Sequence, residues 1–132
     1  MKENYNIIVA DRDRRVREFL NREMKLAGYR VWLAKNGFEL INQLSGIEPM
    51  DLLILDPDFP DAEEDLLIRE VTEKFPLLPI IVHTYSFDKQ RIPASCNTIV
   101  FVEKRGSSID LLIKNVTNIL RTNRVEETIS SG

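Results

Sequence analysis

Three short stretches of the chain are apolar at every position: IIVA at 7–10, LLIL at 52–55 and IIV at 80–82. A strand with one wet face alternates apolar and polar residues. An unbroken apolar run this short is the mark of a strand covered on both faces, which is the situation in a parallel sheet flanked by helices. The runs belong to strand candidates Asn6–Ala10, Asp51–Leu55 and Pro79–Thr84, and weaker ones at Arg30–Ala34 and Thr98–Val102 bring the total to five.

Helix-period segments fill the gaps. Val16, Phe19, Leu20, Met24 and Ala27 recur at helical spacing, and Gly28 closes that segment as a C-terminal cap. Phe38, Ile41 and Leu44 mark a shorter second helix ended by Ser45-Gly46. The third carries Leu67, Ile68, Val71 and Phe75 inward, with Asp61, Glu63, Glu64 and Asp65 placed in its first turn as the helix dipole favours. Pro76 and Pro79 stop it. The clearest stripe is the last one, Ile109, Leu112, Ile113, Val116, Ile119 and Leu120. Between Thr84 and Thr98 the period is weak and Pro93 breaks it, so the fourth helix is expected to be short or irregular. The alternation implies an α/β fold with an open five-stranded parallel sheet, right-handed crossovers and helices on both faces.

With 132 residues, one domain is expected over 1–124, followed by a tail or linker stub at 125–132. Acids and bases are mixed along a chain of net charge −3, which argues against direct nucleic-acid binding and against a basic membrane face. No apolar run is long enough to span a bilayer, and MKENYN is no signal peptide. The single cysteine, Cys96, excludes an internal disulfide and fits a cytoplasmic location.

In such sheets ligands bind outside the C-terminal strand ends. Those ends read Asp11-Arg12-Asp13, Asp56-Pro57-Asp58, Thr84, and Glu103-Lys104-Arg105. Carboxylates, a hydroxyl and an amine in one crevice form a set suited to phosphoryl groups: one carboxylate as nucleophile, others to hold Mg²⁺, an amine to neutralise phosphoryl oxygens. Asp13 is read as a cap for the helix that follows, and His83 as a strand residue packed under a helix. Phe101 is expected to be part core and part surface.

These residues carry a family likeness. The chain resembles the receiver domain of two-component response regulators from about Asn6 to Leu120, through IIVADRD, DLLILDPDFP with its later Pro60, PIIVHT and FVEKR. The resemblance implies the flavodoxin-like strand order 2-1-3-4-5. It implies phosphorelay signalling in which Asp56 is the phosphoacceptor and Asp11 a metal-side acid. Thr84 would be the switch hydroxyl, Lys104 the lysine that reads the modification and Phe101 the switch aromatic. Mg²⁺ would be held by Asp11, Asp56 and the backbone carbonyl of Asp58. Its implied partners are a histidine kinase or phosphotransfer protein as donor, and a downstream protein or fused output domain. A homodimer through the last helices is a further expectation.

The departures are as informative. Arg12 stands where the family has its second acid, which weakens or abolishes the Mg²⁺ site. Tyr85 replaces a small residue, and Arg105 replaces a proline. Two placements of Arg12 are open. It points away and leaves a slow phosphoacceptor, or it forms a bidentate pair with Asp56 and shields it; the departures at Tyr85 and Arg105 lean toward shielding. A pseudo-receiver acting purely as an interaction module is the corresponding alternative. An enzyme is not expected. Asp11-x-Asp13 also resembles the haloacid-dehalogenase phosphatases, but their later acidic motif is missing. DRDRR is no phosphate-cradling loop for a flavin carrier, and no GxGxxG or P-loop occurs.

Overall fold

The computed structural model describes residues 4–47, 49–92, 94–95 and 97–131, with side chains of the last helix described through Thr122. Pro93 and Cys96, singled out above, lie outside the described residues. Five strands alternate with four α-helices: β1 Asn6–Ala10, α1 Arg14–Leu26, β2 Arg30–Ala34, α2 Gly37–Gly46, β3 Leu52–Leu55, α3 Glu64–Lys74, β4 Ile80–Thr84, β5 Ile99–Glu103 and α4 Ser108–Ser131. All pairings are parallel and the strand order is β2-β1-β3-β4-β5, the order and fold class expected.

The unbroken apolar runs are explained by two cores. On one face Ile8, Leu53, Leu55, Ile80 and Val82 pack against Leu40 and Leu44 of α2 and Leu67, Ile68 and Val71 of α3. On the other, Ile7, Val9, Leu52, Ile54 and Ile81 meet Leu20 and Met24 of α1 and Leu112, Val116 and Leu120 of α4. Burying each such side chain contributes about 1.5–3 kcal/mol, so β1, β3 and β4 form a frame rigid enough to carry costly polar groups at its ends.

Local chemistry sets the joints. Asp13 is the N-cap of α1, its side chain accepting from the Arg15 N–H at 2.9 Å. Gly28 takes φ 99° just past α1, where a side chain would be strained. The period over Phe38 misleads: Phe38 is 71% exposed, and the inward face of α2 is carried by Leu40 and Leu44. Among its described residues the segment after β4 holds a single 3₁₀ turn, Lys89–Arg91, in agreement with the weak period there. Arg91 ties that turn to α3 through Asp65 at 3.1 Å and Glu64 at 4.0 Å. The last helix runs on to Ser131, through the segment expected as a tail.

Asp61 also departs from expectation. It lies outside α3, which starts at Glu64, and its two carboxylate oxygens accept from the Gly37 N–H at 2.9 Å and the Phe38 N–H at 3.0 Å. These are unpaired donors of the first turn of α2, and the bonds hold the Asp61 carboxyl below its usual range. A Cβ at position 37 would stand 3.2 Å from that carboxylate, so glycine allows the close approach. The loop after β3 is thereby fastened to α2. Asp61→Ala is expected to lower unfolding free energy by about 1 kcal/mol in urea titrations; an unchanged midpoint would mean that the contact contributes nothing.

Candidate functional site

Each charged residue of the crevice is the first beyond its strand, yet still held by a ladder bond. The Asp11 N–H donates to Ala34 O at 3.1 Å, the Asp56 N–H to Ala10 O at 2.9 Å and the Lys104 N–H to Thr84 O at 2.8 Å. The backbones of β1, β3 and β5 therefore fix where these side chains begin. They converge. Lys104 Nζ lies 2.8 Å from Asp11 Oδ2 and 2.7 Å from Asp56 Oδ2, with all three side chains under a tenth exposed.

The other carboxylate oxygens are also engaged. Asp11 Oδ1 accepts from the Asp13 N–H at 2.8 Å, and Asp56 Oδ1 from the Asp58 N–H at 3.1 Å. Two carboxylates share one ammonium, leaving one net negative charge in a buried place. Burial alone would push the Lys104 amine down, but the hydrogen bonds and charges of Asp11 and Asp56 outweigh it and hold the amine above its ordinary value. Burial pushes Asp11 up, against the pull of Lys104 and the Asp13 N–H. Removing Lys104 would leave two carboxylates buried without a counter-charge, a far worse state than the trio.

Arg12 does not join them. The bidentate pair with Asp56 considered from the sequence is absent: Arg12 Nη2 faces Asp58 Oδ2 at 3.6 Å, and both side chains are more than half exposed. Asp11 takes the inward direction, its neighbour points out to the rim, and Asp56 is already served by Lys104 and the Asp58 N–H. Tyr85 is 69% exposed and does not fill the crevice; its ring lies 5.2 Å from Lys104 Nζ, a cation–π distance. Arg105 pairs with Glu103 at 2.7 Å on the surface and takes no part in the acidic network.

Thr84 ends β4, nearly buried, opposite Glu103 in the register. Phe101 is half-buried and packs on Phe87 at 5.9 Å, with Lys89 Nζ 5.1 Å from its ring. Thr84, Tyr85, Phe87 and Phe101 border one hollow of about 390 Å³. A larger hollow, about 620 Å³, opens among Leu44, Met50, Phe75 and Leu78, near the ends where β3 and β4 begin, and is remote from this chemistry.

The donor set does not fit a tightly held Mg²⁺. Such an ion asks for near-octahedral oxygen ligation. Here the acid that resemblance would supply at position 12 is a cation, and the Asp11 and Asp56 oxygens are each partnered within the protein. Among the described residues no group of three His, Cys, Asp or Glu side chains could hold a metal ion.

Sequence reasoning did not foresee the contacts of Arg91 or Ser108. The Ser108 Oγ lies 3.2 Å from His83 Nε2, and both residues are buried. That fixes His83 beneath the start of α4.

Comparison with known proteins follows the same line. No family model matches the chain. Over 78 residues it is 37% identical to the response regulator MprA of Mycobacterium avium, covering 59% of this chain and 34% of that one. The chain thus spans about a third of the length of the curated relatives it matches. The response regulator TrrA of Thermotoga maritima, solved in complex with Mg²⁺–BeF, is 24% identical with TM-score 0.73, over 88% of this chain and 99% of that one. The Vibrio cholerae chemotaxis protein CheY4 is 20% identical with TM-score 0.78, over 89% and 100%.

Burial, and then the charge of Lys104, lowers the His83 imidazole from 6.5 to about 4. The unfolded chain takes up this proton as pH falls through 6.5, while the folded chain resists until about 4, so stability is lost on acidification across that window. After allowance for solvent screening, the loss attributable to His83 is about 2 kcal/mol. Unfolding titrations at both ends of the window should show the protein losing about 2 kcal/mol more on acidification than His83→Val does. Parallel pH profiles would contradict a neutral buried imidazole.

Proposed function

We propose that the chain is a receiver domain of the response-regulator kind and serves phosphorelay signalling with Asp56 as the phosphoacceptor. One observation carries the reading. The Asp56 carboxylate, at the end of the most buried strand, has one oxygen on a backbone N–H and the other on an ammonium that it shares with Asp11.

In the proposed reaction an Asp56 oxygen attacks the donor phosphorus. A P–O bond forms, the bond from phosphorus to the donor breaks, and the leaving group keeps that electron pair. The Asp58 N–H orients the carboxylate. Lys104, held protonated, neutralises oxygens of the arriving phosphoryl group, a form of electrostatic stabilisation that needs no proton transfer. Thr84 and Phe101 border the hollow beside the site and are proposed as the hydroxyl and aromatic that register the modification. The proposed donor is a histidine kinase or phosphotransfer protein. The proposed receiver of the signal is a downstream protein or an output domain, and the exposed Leu111 of α4 offers a face for a second copy. Among the described residues no helix is long and apolar enough to cross a membrane, and a cytoplasmic location is proposed with the rest. Receiver domains are signalling modules rather than enzymes, and no turnover of a separate substrate is proposed for this one.

Incubation with acetyl phosphate tests the reading. The protein should gain the mass of one phosphoryl group as a hydroxylamine-labile acyl phosphate, and Asp56→Asn should gain none. No adduct, or an equal adduct on Asp56→Asn, would refute the assignment of Asp56.

A further inference from the structure

The geometry points to Arg12 as a phosphate ligand that takes the place of a divalent metal when Asp56 is phosphorylated. This inference rests on the reading of Asp56 as the acceptor and adds a residue and a metal requirement to it. The resting crevice holds two carboxylates and one ammonium. Phosphorylation exchanges the single charge of Asp56 for about −1.5 to −2, so the unbalanced charge of the crevice roughly doubles. Lys104 carries one positive charge and divides it between Asp11 and the phosphoryl group, so a further cation is required.

Arg12 is a cation at the rim of this crevice. Its guanidinium faces Asp58 Oδ2 at 3.6 Å, and the backbone N–H of that same Asp58 donates to the Asp56 carboxylate at 3.1 Å. The guanidinium thus stands beside the residue next-but-one to the proposed acceptor. The pair it would leave is weak. Both side chains are more than half exposed, and ion pairs of that kind contribute little. A phosphoryl group offers more, because the planar guanidinium matches its oxygens through two parallel hydrogen bonds. Arg12 is a weakly paired rim residue in the resting protein and a phosphoryl contact in the modified one. The substitution that spoils the Mg²⁺ site is also the one that supplies its replacement.

The transfer balances without a metal. Acetyl phosphate loses its P–O bond to acetate, which leaves with the electron pair as an anion. The Asp56 oxygen forms the new P–O bond, and no proton moves.

The test uses the full chain and acetyl phosphate, with EDTA or with Mg²⁺, and follows the phosphoryl adduct by intact mass beside an Asp56→Asn control. The protein should form the Asp56 adduct at similar rates in both conditions. Arg12→Ala should slow formation in EDTA by roughly tenfold to a hundredfold, the loss of one charge-assisted contact, and Arg12→Lys should recover part of it. Arg12→Asp should make the adduct depend on Mg²⁺, an inversion that a merely structural role for Arg12 would not produce. An adduct that needs Mg²⁺ in the unaltered protein, with Arg12→Ala unimpaired, would overturn the role of Arg12 while leaving Asp56 as acceptor. Absence of an Asp56-dependent adduct in every condition would overturn the phosphoacceptor reading itself.

Discussion

A single buried ammonium determines what the rest of this structure can do. Lys104 Nζ touches Asp11 and Asp56 at once, joining the ends of β1, β3 and β5. Without it two carboxylates would face each other in a place nearly closed to water. The apolar runs of the three central strands exist to hold this arrangement still. Ile7 to Ala10 and Leu52 to Leu55 are almost wholly buried, so the backbone from which each aspartate springs has little freedom. Fold and site are therefore one problem: the sheet supplies rigidity, and the rigidity makes a concentrated charge tolerable.

Much of this was legible in the sequence because it rests on periodicity and on position at strand ends. Three runs without a polar residue imposed a parallel sheet, and the parallel sheet gathered Asp11, Asp56 and Lys104 at one edge. The weak period after Thr84 foretold the short 3₁₀ turn Lys89–Arg91. What escaped was set by side-chain direction. Phe38 matched a helical spacing but projects outward, and Asp61 reaches across to cap α2 when its sequence position suggested the first turn of α3. The destination of Arg12 was open for the same reason. A long cation beside three acids has several partners within reach, and pattern alone does not choose among them.

The structure chooses Asp58, and this alters the meaning of the most unusual residue in the chain. A guanidinium bonded to Asp56 would have shielded the proposed acceptor and argued for a silent domain. A guanidinium on the rim, in a weak and exposed pair with Asp58, leaves the Asp56 carboxylate to Lys104 and the Asp58 N–H. Tyr85 fits the same picture. Its ring lies 5.2 Å from Lys104 Nζ, and the side chain is largely exposed. The three residues at which the sequence departs from the resemblance, Arg12, Tyr85 and Arg105, are all exposed and lie outside the buried trio.

The central claim is that Lys104 is held charged between two carboxylates, and the amine itself reports on it. Nitrogen-15 NMR of the side-chain Nζ should show an ammonium whose protons exchange slowly with water and whose titration lies above the ordinary lysine value of 10.5. A rapidly exchanging amine titrating at or below that value would contradict the account.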